Sequence, residues 1–186
     1  MEFYPEERFK NWIEIIERSE IKEDDPKTLD VFDHFIEDFA IACFKLISAV
    51  KNREILKMEA VDYLELSKRY FLTSIDFGDE IKNEFYEFVK ESLKTIAQST
   101  IYYLQDKISK KSFKKLLKEA VEYESKGDLT SAFDCVAKMG AKVLKGEDLP
   151  ELEAEGLVAN WLDGVETLYM VMKLSKIDTY QARSEL

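Results

Sequence analysis

The sequence predicts an all-α fold: a single-domain bundle of about seven helices around a central helix near residues 79–106. Composition is the first sign, because Leu, Ile, Glu and Lys are plentiful while 6 glycines and 3 prolines in 186 residues leave little turn chemistry for a β sandwich. Periodicity is the second. From Phe85 to Leu104, apolar side chains fall at Phe85, Phe88, Val89, Leu93, Ile96, Ala97, Ile101 and Leu104, steps that fit a helix and exclude an alternating strand. Between Ser92 and Leu104 the only charge is Lys94, and the stripe rotates along the run, so several helices must surround this one, which is expected to be the least exposed. Length is the third: 186 residues suit one domain able to bury about 70% of its unfolded surface. Residues 1–176 are read as that domain and 177–186, which lack periodicity, as a flexible C-terminal tail.

The first helix runs from about Pro5, whose missing N–H costs nothing at a first position, to Arg18, with Phe9, Trp12, Ile13 and Ile16 on one face. Asp25 caps the second, which starts at Pro26, runs to about Asn52 and packs through Leu29, Phe32, Phe35, Ile36, Phe39, Cys43, Leu46, Ile47 and Val50. A third helix, about Lys57 to Leu72, returns antiparallel. The turn Thr73 to Gly78 contains Asp76-Phe77-Gly78, the letters of a kinase metal-binding motif, but no glycine-rich loop, strand lysine or catalytic loop accompanies them. After the central helix, Ile108 and Phe113 bracket Ser109 as a staple around a serine cap for the fifth. Gly127 ends the fifth helix, Asp128 caps the sixth, Gly146 ends that one, and Pro150 opens a seventh extending to about Leu174.

No apolar run reaches the roughly 18 uncharged residues of a membrane span, and Met1 to Phe9 carries glutamates where a signal peptide would carry lysines. Cys43 and Cys135 read as small core side chains, which suits a reducing, cytoplasmic setting. A net charge of -11 repels phosphate backbones and disfavours nucleic acid as partner.

Four constellations bear on function. The second helix carries Asp30, Asp33, His34, Glu37 and Asp38, and the third returns Glu59 and Asp62; Asp33, Glu37, Glu59 and Asp62 on adjacent helices are the pattern that holds Mg²⁺ in helical nucleotide pyrophosphohydrolases. Projected at 100° per residue, however, these acids oppose the apolar faces of both helices, which describes a solvated surface. A di-iron bundle needs two Glu-x-x-His motifs, and the chain has 1 histidine. In the fifth helix, Lys110, Lys111, Lys114, Lys115 and Lys118 share a face, which reads as a solvated surface or as a docking site for an acidic partner, RNA or another copy of this acidic protein, with no aromatics for base stacking. Leu116 to Met139 has the look of one tetratricopeptide hairpin, too short to stack into an array. In the seventh helix, Gly156, Asn160, Gly164 and Val171 form a stripe that lets another backbone approach, and Leu168 to Met172 is apolar throughout; internal packing and a homodimer interface both follow from it.

Three segments, Glu6 to Glu14 (EERFKNWIE), Asp24 to Leu64 with its DFAIACFKLISAV, and Asn160 to Leu168 (NWLDGVETL), resemble an archaeal family of all-helical proteins of unknown function. The resemblance implies an archaeal, cytoplasmic protein and a polar residue near position 56, where this chain has Leu56; it carries no activity. The expectation is therefore a non-enzymatic helical interaction module with an unidentified protein partner or a second copy of itself. No cofactor is expected, and Mg²⁺ enters only under the alternative of a metal-dependent pyrophosphohydrolase.

Overall fold

Local signals start and stop most of the helices. In the computed structural model these are α1 (Glu6–Arg18), α2 (Pro26–Lys51), α3 (Lys57–Phe71), α4 (Glu80–Leu104), α5 (Phe113–Ser125), α6 (Leu129–Lys145) and α7 (Gly156–Ser184). The structure describes residues 3–22 and 24–184, with side chains as far as residue 175, and no strand occurs among them. Asp25 accepts from the Lys27 N–H at 3.2 Å to begin α2, Asp79 from Lys82 at 3.1 Å to begin α4, and Asp128 from Ser131 at 3.0 Å to begin α6. Each carboxylate satisfies an N–H that the helix itself cannot. Gly146 ends α6 at φ 105°, a left-handed turn that a side chain would strain. Ahead of α4, Asp76 accepts from Gly78 N–H and from Asn83, so the kinase-like letters make a turn.

Four boundaries differ from the sequence reading. Pro5 lies one residue before α1 rather than inside it. The cap of α5 is Ser112, which accepts from Lys115 N–H at 3.3 Å, and not Ser109, whose hydroxyl accepts from Lys111 N–H in the preceding turn. Pro150 does not open α7: the helix starts six residues later at Gly156, φ 65°, because Glu124 at the end of α5 accepts from the Leu157 N–H at 2.7 Å and supplies the cap from another element. The backbone helix continues past Leu174 to Ser184, through most of the stretch read as a tail; residues 185–186 lie outside the described residues.

The bundle is assembled on α4, which contacts α2, α3, α6 and α7 and buries Leu93, Ile96 and Ala97 completely. It is nonetheless not the least exposed element. Helix α6 buries 10 of its 17 residues against 12 of 25 for α4. Its small side chains explain this: a Cβ on Gly140 would stand 2.1 Å from Ser99 Oγ, so α6 lies almost on the α4 backbone. Cys43 and Cys135 are free and buried. Among the described residues no helix is long and apolar enough to cross a membrane.

Helix α1 is fastened to α2 by polar contacts as well as by its ring cluster. Asp38 accepts from Trp12 Nε1 at 2.9 Å, Arg8 Nε at 2.9 Å and Tyr4 Oη at 3.3 Å, and is ion-paired with the Arg8 guanidinium. The sequence reading placed Asp38 on a solvated acidic face. The partners that reverse that assignment come from α1 and the segment before it, 26 to 34 residues away.

Candidate functional site

The four carboxylates of the pyrophosphohydrolase alternative are not brought together. No group of three or more His, Cys, Asp or Glu side chains placed to hold a metal occurs among the described residues. Glu59 is occupied locally, accepting from the Leu56 N–H at 2.8 Å and so capping α3 where residue 56 has no side chain to do it. Asp33 faces α7 instead of α3. It lines a cleft of about 300 Å³ with Phe32, Phe85, Phe88, Asn160 and Asp163. Desolvation first, and then the charge of Asp163, push the Asp33 carboxyl above its ordinary range; Glu166 is raised by the same two causes. Asp163 is held by the Ser92 hydroxyl at 2.8 Å.

All five lysines of the basic face are exposed, but the face is shorter and less purely positive than its spacing implies. Lys110 and Lys111 precede α5, leaving Lys114, Lys115 and Lys118 on the helix. Lys111 pairs with Glu119 at 2.6 Å and Lys118 with Glu122 at 3.8 Å. A small polar recess of about 170 Å³ between α5 and α6 includes Lys111, Glu119, Asp134, Cys135 and Lys138. There Lys138 pairs with Asp134 at 2.5 Å, so the recess carries its own counter-ions.

The glycine stripe of α7 is used inside the chain. A Cβ on Gly164 would lie 2.7 Å from the Ser92 carbonyl oxygen and 3.2 Å from Thr95 Cβ, both on α4. The Asn160 carbonyl accepts from the Ser92 hydroxyl at 3.3 Å, Thr167 and Val171 are buried, and Gly156 serves the turn into the helix. The close approach that glycine permits is therefore to α4, which answers the choice between internal packing and an interface on this face. Trp161 adds a hydrogen bond to Glu91 of α4 at 2.6 Å.

The opening that sequence reasoning missed lies between α2 and α7. A groove of about 780 Å³ is lined by Ile41, Phe44 and Ala49 of α2 and by Met170, Val171 and Leu174 of α7, with Glu37, Lys45 and Glu54 among its polar members. Ile41 is 41% exposed, Met170 53% and Leu174 62%, large apolar side chains that nothing in the described chain covers. The two helices run parallel here, since Asp33 meets Asn160 and Asp163 at one level while Ile41 and Phe44 meet Met170 and Leu174 further along. A sequence signal existed. Phe39 to Phe44 is apolar without interruption, as is Leu168 to Met172, and a helix facing one core needs neither run.

A family model described as "Uncharacterized protein conserved in archaea (DUF2150)" matches residues 2–179. No curated protein and no solved structure matches the chain significantly.

Proposed function

The chain belongs to that archaeal family, and on this premise we propose that it works as a cytoplasmic helical interaction module rather than as an enzyme. The observation that supports this reading is the exposed apolar groove between α2 and α7, the kind of surface into which a partner helix lays its apolar face. The shifted titratable groups support it from the other side. Burial pushes the Cys43 thiol up to about 12 and raises Cys135, so neither is a ready nucleophile, and Asp38 is spent on joining α1 to α2.

The reading is tested at Ile41 and Met170. Ile41→Glu and Met170→Glu should each leave unfolding stability within about 0.5 kcal/mol, because both side chains already face water. Cross-linking through Lys45, mapped by mass spectrometry, should give links to a partner chain that both variants lose. Links indifferent to the two variants would remove the groove from the reading. Mg²⁺- or Mn²⁺-dependent nucleotide hydrolysis by the wild-type protein would replace it with the metal-dependent alternative.

A further inference from the structure

Glu37, Ile41 and Lys45 follow one another at four-residue steps along α2, and all three line the groove. A step of four advances the direction by only about 40°, so they share one face, with the isoleucine midway between opposite charges. Glu37 and Lys45 are about 12 Å apart along the helix, too far to pair with each other. Neither takes part in an ion pair among the described residues.

Resting on the reading of the groove as an interaction site, we infer that its partner is a second copy of the chain, with α2 packed antiparallel on its own copy across a twofold axis at Ile41. That axis brings Glu37 opposite the partner's Lys45, and by symmetry makes the same pair twice. The pattern is its own complement when reversed, a property that a contact with an unrelated protein does not require. The neighbouring exposed positions obey it too. His34 falls opposite the partner's Ser48, and Asp30 opposite the partner's Asn52, so no like charges meet along the seam. A parallel arrangement would instead set Asp30, Asp33 and Glu37 against themselves. Met170, beside Ile41, and Leu174, beside Lys45, widen the apolar strip that the second copy would cover.

Charge reversal tests the arrangement directly. Light scattering and sedimentation equilibrium should give the wild-type mass as two chains of 21.7 kDa. In Glu37→Lys every facing pair becomes Lys with Lys, and in Lys45→Glu every pair becomes Glu with Glu, so each variant alone should dimerise at least about tenfold more weakly. The double variant should recover the dimer. An equimolar mixture of the two single variants should also recover it, as a heterodimer, because both contacts again join Lys to Glu. Thermal melts of each variant confirm that it is folded. A wild-type monomer at high concentration, or a dimer that neither single variant weakens, overturns the inference. If the dimer fails while Lys45 still cross-links to another chain through the groove, only the choice of partner falls; if both fail, the groove itself falls.

Discussion

Gly164→Ala probes how closely α7 approaches α4. The new methyl carbon would meet the Ser92 carbonyl oxygen at 2.7 Å, the Ser92 Cα at 3.2 Å and the Thr95 Cβ at 3.2 Å. Two of these three atoms are main chain, so no change of rotamer removes the clash, and the helices must separate by about half an ångström to restore ordinary contact. Overpacking of this kind costs about 1–3 kcal/mol, and an unyielding backbone neighbour places it near the upper end. Alanine recovers about 1 kcal/mol through its better helix propensity. The net expectation is a loss of about 2 kcal/mol, which lowers the melting temperature of a chain this size by about 4–8 °C. Urea unfolding with an unchanged slope measures the difference. Gly164→Leu should destabilise further while leaving the association state of the folded fraction unchanged. Melting of Gly164→Ala at or above the wild-type temperature would refute the close packing of α7 on α4, and a stable Gly164→Leu monomer from a wild-type dimer would return the stripe to the interface.

Burial pulls the Asp38 carboxyl upward, but the bonds from Arg8 and Trp12 outweigh it and hold the group below the usual carboxylate range. A depressed folded pKa gives stability that is present above the unfolded value and lost as pH falls through the folded one. Asp38→Ala should therefore cost about 1–2 kcal/mol at neutral pH, allowing for solvent screening of the half-exposed Arg8, and the gap from wild type should close in acid; a gap constant with pH in urea titrations would contradict this. Replacing Lys111, Lys114 and Lys118 together with glutamine should change stability by no more than about 0.5 kcal/mol, because the pairs they make are exposed. Partner binding that weakens with salt should weaken with these changes also, and binding indifferent to both would discard the basic face.

How far the sequence reached depended on the range of each interaction. The caps Asp25, Asp79 and Asp128 and the stop at Gly146 act within three or four residues of the helix ends they define, so helix number, order and most boundaries were readable from neighbours in the chain. The core stripe of α4 was readable for the same reason, since helical periodicity makes residues three and four apart share a face. Tertiary structure alone decided where α7 begins, because its cap is Glu124, 33 residues away. It also decided that Asp38 is a structural acceptor, that the Gly164 stripe meets α4, and that Ile41 and Met170 share a groove. Periodicity says which direction a side chain points from its own helix. The energy of a carboxylate, a glycine or an exposed isoleucine is set by what stands opposite, and that is known only once the helices are packed.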